Sequence, residues 1–100
     1  MIKKYTLDQE LKGMSILLFY IENDATSVLA ENALNNLVDK FQSVNFYKTD
    51  IAEDTKVADK YSVYSVPKII LLNNEVVQDS ILGLASIEVI KQFIQNNGGV

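Results

Sequence analysis

The stretch "SVPKIILLNNEVVQDSILGLASIEVIKQFI", residues 65–94, contains the clearest structural pattern of the chain. Two apolar segments, 68–72 and 75–82, flank Asn73-Asn74, and asparagine tolerates the positive φ of a tight hairpin turn. Ser86 then stands where a helix N-cap is expected. The stretch therefore predicts two antiparallel strands followed by a closing helix. The isoleucines expected on the buried face of that helix are Ile87, Ile90 and Ile94.

The residues before this stretch alternate between strand and helix patterns. Strands are predicted at 2–5, 15–21 and 44–51, and the middle one is apolar throughout, as expected of a strand covered on both faces. The predicted order is β-α-β-α-β-α-β-β-α, an α/β fold with a central mixed sheet flanked by helices. With 100 residues, we expect one domain, residues 1–100.

Three further helices are predicted between these strands. Residues 6–13 have a capping box, with Thr6 as N-cap and Gln9 three residues later. A short helix follows Asp54, its expected cap. The longest helix follows the turn at 22–27, and its apolar residues recur with a helical period. Those residues are Ala30, Leu34, Leu37, Val38 and Phe41.

Composition excludes several classes of function. Cysteine and histidine are absent, which removes thiol catalysis, disulfides and histidine-based metal or acid–base sites. The net charge is −4 and the basic residues are scattered, so we expect no nucleic-acid binding. The polar N-terminus lacks a signal sequence, and the apolar run "ILLFYI" is far shorter than a membrane span of about 20 residues. A cytoplasmic protein that does not enter a membrane is expected.

This element order resembles the thioredoxin fold, and three segments support the resemblance. "SVPKIILL" looks like the family's cis-proline segment, with Pro67 as the only proline of the chain. "ILGLASIEVIKQFI" is similar to the last strand and closing helix, with Gly83 at the family's glycine position. "KTDIAEDTKVADKYSVYSVP" is similar to the central strand and the helix before that proline. The resemblance covers nearly the whole chain and implies a cis peptide bond between Val66 and Pro67.

The resemblance also locates the family's active-site turn. Thioredoxins have Trp-Cys-Gly-Pro-Cys or a close relative there, and the corresponding residues here run from Asn23 through Asp24 to Ser27. Both cysteine positions, Asp24 and Ser27, lack sulfur. Disulfide exchange needs a thiolate and a second thiol. The turn therefore cannot perform it, and we expect neither enzymatic activity nor a cofactor.

Other residues depart from the family's pattern or match it. Leu18 stands where redox-active members often have a buried acid, and Asn32 where many have a proline, whereas Lys48 matches a common lysine. We expect Asp24 to act as the N-cap of the helix, because a carboxylate there is stabilised by free N–H groups. Lys48 is expected to pair with an acid such as Asp24 or Asp50.

The sequence supports a catalytic site and a metal site less well than structural roles for the same residues. Ser27 or Thr26 with Lys48 as base would form a hydroxyl nucleophile, but no sequence feature orients them. The acids Asp50, Glu53 and Asp54 could attract Ca²⁺ or Mg²⁺, yet they lack the spacing of a calcium loop. Acids before a short helix more commonly favour its dipole.

The resemblance implies a surface for protein binding. In the family, the residue before the cis-proline exposes backbone groups that pair with an extended peptide, and this needs no cysteine. An equally weighted alternative is that this patch is residual surface. The leading functional alternative is an accessory or scaffold subunit of an enzyme complex; a third is an assembly factor. The predicted peptide-binding residues are Asn23, Asp24, Ala25, Tyr64, Ser65, Val66, Pro67, Gly83 and Leu84.

Overall fold

A computed structural model of the chain describes residues 2–99. Five strands and three helices alternate in the predicted order, except that the first helix is missing. No helix within the described residues is long and apolar enough to cross a bilayer. The elements are β1 (Lys3–Lys4), β2 (Met14–Tyr20), α1 (Ala25–Asn35), a 3₁₀ turn (Val38–Lys40), β3 (Asn45–Asp50), α2 (Thr55–Lys60), β4 (Lys68–Asn73), β5 (Val76–Leu82) and α3 (Ile87–Asn96).

The strands form one mixed sheet in the order β1-β3-β2-β4-β5. β1, β3 and β2 run parallel, whereas β4 pairs antiparallel with β2, and β5 antiparallel with β4. Parallel neighbours require a crossover, and α1 supplies it between β2 and β3. The terminal hairpin adds the antiparallel part, which confirms the predicted mixed sheet.

Strand β2 is buried on both faces, as its apolar sequence predicted. Ile16 and Leu18 belong to a core cluster that contains residues of α1 and α3. Leu17 and Phe19 belong to a second cluster, which includes Val57 of α2. Side chains alternate across a strand, so this one segment packs against helices on both sides of the sheet.

A side chain caps each of the three helices, at the residue that the sequence predicted. The Ser27 backbone N–H donates to Asp24 Oδ2 at 2.9 Å, and the Val57 N–H donates to Asp54 Oδ1 at 3.3 Å. At the third helix, the Val89 N–H donates to Ser86 Oγ at 3.2 Å. Each bond satisfies a backbone donor that has no partner inside its helix.

The prediction of a helix at 6–13 is wrong. Thr6 and Gln9 form a single turn, in which the Gln9 N–H donates to the Thr6 carbonyl and the Thr6 N–H to Gln9 Oε1, both at 3.0 Å. The Thr6 hydroxyl bonds Asp8 instead of capping a helix. Only Leu11 is fully buried here, while Leu7 is 42% exposed. A segment this short cannot remain helical in water without an apolar face to bury.

Two helix predictions need smaller corrections. α1 ends at Asn35, and the apolar stripe continues through a 3₁₀ turn, so that Leu37 and Phe41 are nevertheless buried. In α3 the inward residues are Ile90, Phe93 and Ile94, whereas Ile87 is 38% exposed. Ile87 lies in the first helical turn, next to the capping residue, where the helix has not yet reached the core.

The hairpin turn lies one residue later than predicted. Asn74 and Glu75 have φ of 49° and 71°, so both central residues adopt the left-handed conformation of a type I′ turn. Asn74 forms two hydrogen bonds with Gly13, which precedes the neighbouring strand β2. The Asn74 N–H donates to the Gly13 carbonyl at 3.0 Å, and Asn74 Oδ1 accepts from the Gly13 N–H at 2.8 Å. These two bonds fix the register of the turn.

This turn assignment predicts that glycine has opposite effects on stability at positions 73 and 75. Glu75→Gly should stabilise the chain by about 1 kcal/mol, because glycine adopts a positive φ without strain. Asn73→Gly, in the adjoining strand residue, should instead destabilise it by about 0.5–1 kcal/mol. Urea unfolding of both variants measures the difference. The turn assignment fails if the two substitutions have the same sign.

The helix cap at Asp24 predicts different melting temperatures for two substitutions of this residue. Asp24→Ala should lower the melting temperature by about 4–8 °C, whereas Asp24→Asn, an equally good cap, should stay within about 2 °C of the original chain.

Hydrogen bonds from Thr26 and then Ser27 lower the pKa of Asp24 below its ordinary 3.8. The deficit of Asp24→Ala should therefore shrink as the pH falls from 3.8 through that lowered pKa. Calorimetry across pH 2–7 tests this; a pH-independent deficit contradicts it.

Candidate functional site

One end of the sheet brings four loop segments together, and we call it the site end. Tyr20, at the carboxyl end of β2, pairs with Asp50 at the end of β3, and the neighbouring Phe19 pairs with Lys68 at the start of β4. Lys68 in turn pairs with Leu82 at the end of β5. Consequently the loops that follow or precede these strands meet there. They are residues 21–24, 50–54, 64–67 and 83–84.

The turn at 21–24 is held by Asp24 and Ser27, the two residues that the resemblance assigns to the family's cysteine positions. Asp24 caps α1 through the Ser27 N–H, and the Ser27 hydroxyl accepts a 3.2 Å hydrogen bond from the Ile21 N–H. Ser27 is only 1% exposed. Asn23 has a φ of 67°, a conformation that asparagine tolerates well, so the turn reverses sharply before the helix. Asp24 and Ser27 thus stabilise the backbone of this turn.

Lys48 does not pair with Asp24 or Asp50, contrary to the sequence prediction. Its Nζ lies 2.7 Å from Glu31 Oε2 on α1 and 5.5 Å from the centre of the Tyr20 ring. The hydrogen bond to Glu31 raises the pKa of Lys48, which keeps the ammonium protonated. A protonated lysine cannot accept a proton from a hydroxyl, so the structure does not form the nucleophile–base arrangement of Thr26, Ser27 and Lys48.

The acidic cluster at 50–54 organises its own loop. Asp50 Oδ1 accepts from the Ala52 N–H at 2.8 Å and the Glu53 N–H at 3.3 Å, while Oδ2 accepts from the Glu22 N–H at 3.1 Å. Asp54 caps α2. These carboxylates thus serve backbone donors and connect the loop to the turn at 21–24. Among residues 2–99, no group of three acidic, histidine or cysteine side chains is arranged to hold a metal ion.

The loop before Pro67 presents unused backbone groups. The Val66–Pro67 peptide bond is cis, and the Pro67 carbonyl accepts from the Gly83 N–H at 2.8 Å. Ser65 is exposed and Val66 half-buried, and neither backbone donates to or accepts from another described residue. Tyr64, which precedes them, is 75% exposed. The hydrogen bond to the Pro67 carbonyl places Gly83 beside this loop.

An apolar groove adjoins the site end between α1 and the start of α3. It is an open depression of about 530 Å³, lined in part by Leu29, Leu84 and Ile87, and Leu29 and Leu84 are 53% and 50% exposed. Asn32 and Asn36 of α1 also line it. The sequence prediction included Leu84 but missed Leu29. The available signal was a leucine on α1 outside the helical stripe that packs into the core.

The thioredoxin family model matches residues 13–96. No curated protein sequence matches the chain significantly.

Two solved structures share the fold at low sequence identity. A mutant thioredoxin from Halobacterium salinarum has a TM-score of 0.81 and 19% identity, covering 89% of this chain and 78% of that one. A structure titled for the thiol-resolving mechanism in yeast mitochondrial 1-Cys peroxiredoxin via glutathione/thioredoxin systems has a TM-score of 0.79 and 21% identity, covering 87% and 81%. Since the family model spans most of the sequence, this cysteine-free chain belongs to the thioredoxin family.

Proposed function

We propose that this chain is a redox-inactive thioredoxin-fold module that binds an extended segment of a partner protein at the site end. The observation that carries the proposal is the free backbone of Ser65 and Val66 beside two exposed side chains, Tyr64 and Leu84. An extended segment can pair with such backbone groups as an added strand. The exposed side chains supply apolar contacts on either side of it.

The absence of sulfur supports binding rather than electron transfer. The chain has no cysteine, and the residues at the two cysteine positions form hydrogen bonds within the turn. A carboxylate and a buried hydroxyl cannot form the mixed disulfide through which thioredoxins act. Binding through backbone groups and apolar contacts requires neither residue to react.

A second candidate is an accessory subunit or scaffold of an enzyme complex whose chemistry a partner supplies. The groove of about 530 Å³ beside Leu29 and Leu84 favours it, since a permanent partner could cover this apolar surface. The two candidates differ in the lifetime of the complex with the partner. A peptide-binding module releases its partner readily, whereas a subunit co-purifies with its partner at fixed stoichiometry.

The absence of a thiol predicts no disulfide reductase activity. With dithiothreitol as reductant, the chain should not accelerate insulin reduction above the uncatalysed rate, because no thiolate is available to attack. A cysteine-containing thioredoxin serves as the positive control. Turnover above background by this chain would overturn the redox-inactive assignment.

A matched pair of surface substitutions tests the binding site. Leu84→Asp places a charge on the proposed binding surface, whereas Val76→Asp places one on an equally exposed position at the far end of β5. Leu84→Asp should reduce the partner captured from lysate of the native host by at least about tenfold, as expected for a contact of about 1.4 kcal/mol. Val76→Asp should leave capture unchanged, and both variants should keep the parental melting temperature within about 3 °C.

Two results would contradict this proposal. Equal capture by Leu84→Asp and the original chain would place the working interface elsewhere. Equal loss in both variants would show that charge anywhere on the surface disrupts binding. Tyr64→Ala is a third probe, because Tyr64 is 75% exposed and its removal leaves the core unchanged.

A further inference from the structure

The two flanks of the proposed binding surface differ in chemistry. On the side of the turn at 21–24, the exposed Glu22 and the half-buried Asp24, two residues later, provide carboxylates. On the side of α3, the groove presents Leu29, Leu84 and Ile87. A segment that lies across both flanks therefore meets negative charge on one side and apolar surface on the other.

Asp24 retains an oxygen for a ligand. Its Oδ2 accepts both cap bonds, from the Ser27 N–H at 2.9 Å and the Thr26 hydroxyl at 2.8 Å. Its Oδ1 accepts no hydrogen bond from the described residues. The same donors, Thr26 first, lower the pKa of this carboxyl, so it remains charged well below neutral pH. A charged oxygen at the start of α1 can accept from an ammonium or a guanidinium group.

The nearby lysines form their ion pairs with other acids. Lys48 is paired with Glu31 at 2.7 Å, and Lys4 lies 3.9 Å from Glu53. The hydrogen bond to Glu31 is the main cause of the raised pKa of Lys48, and attraction to Glu22 contributes a smaller part, so Lys48 partly offsets the charge of Glu22. Glu22 and Asp24 take part in no ion pair within residues 2–99. Lys68 pairs in register with Phe19, whose side chain belongs to the α2 face of the sheet, whereas the groove lies on the α1–α3 face.

We infer that the partner segment carries a lysine or arginine that faces Glu22 and Asp24, next to an apolar side chain that enters the groove at Leu84. This inference rests on the proposed function and adds the chemistry of the partner. Charge complementarity selects the partner and speeds its encounter with the site. The apolar contact and the backbone of Ser65 and Val66 hold the segment once it has bound.

A library of random decapeptides displayed on phage tests the inference directly. Selection on the immobilised intact chain should enrich peptides in which Lys or Arg occurs within a few residues of a Leu, Ile, Val or Phe. The enrichment should weaken when selection is carried out in high salt, because partly exposed ion pairs are screened. The readout is the frequency of each residue before and after selection.

Charge-removing variants attribute the enrichment to named side chains. Asp24→Asn keeps the helix cap but removes the charge, and Glu22→Gln removes the neighbouring charge. Each should weaken binding of an enriched basic peptide by about two- to fivefold, as expected for one exposed ion pair. Glu75→Gln is the matched control, since Glu75 lies in the β4–β5 turn at the opposite end of the sheet. It should leave the affinity unchanged.

The outcomes separate this inference from the proposed function. If peptides are enriched and Leu84→Asp abolishes their binding, but Lys and Arg are not over-represented or the charge-removing variants bind equally well, the inference is wrong and peptide binding stands. If selection enriches nothing beyond what Leu84→Asp enriches, both are wrong. Basic peptides that bind Leu84→Asp as well as the original chain would indicate general attraction to an acidic protein, which also overturns both.

Discussion

Strand β2 is buried on both faces, and the rest of the architecture follows from that constraint. Its apolar side chains need helices on each side of the sheet and paired neighbours at each edge, which α1, α2, α3, β3 and β4 provide. The backbone cannot remain unpaired inside such a core, so the polar residues that follow Tyr20 must emerge at the end of the sheet. The site end is therefore a consequence of how the core is built.

At this end, Asp24 and Ser27 have a structural role. Asp24 accepts from one free backbone donor of α1, the Ser27 N–H, while the buried Ser27 hydroxyl accepts from the Ile21 N–H. The helix N-terminus that would stabilise a thiolate now stabilises a carboxylate. Hydrogen bonds within 21–27 hold this turn without a reactive group.

The predictions that succeeded depended on local rules. An N-cap at Asp24 or Ser86 requires only a short polar side chain before an apolar helical pattern, and the sequence shows both. The partner of Lys48 could not be found this way, because Glu31 reaches it only after α1 packs across the sheet. The segment 6–13 had the local signals of a helix, but it buries only one apolar residue, Leu11. The groove at Leu29 is likewise formed by two helices that are distant in sequence.

Without a covalent step, the proposed module must obtain its selectivity entirely from reversible contacts. Backbone pairing at Ser65 and Val66 is indifferent to sequence, since every non-proline residue offers the same donor and acceptor. Apolar burial against Leu84 distinguishes side chains mainly by size, and it admits many partners. The charge on Asp24 and Glu22 is the contact that distinguishes partners by chemistry, because it attracts basic residues and repels acidic ones. In this proposal, the Asp24 carboxylate selects the partner and also caps the helix.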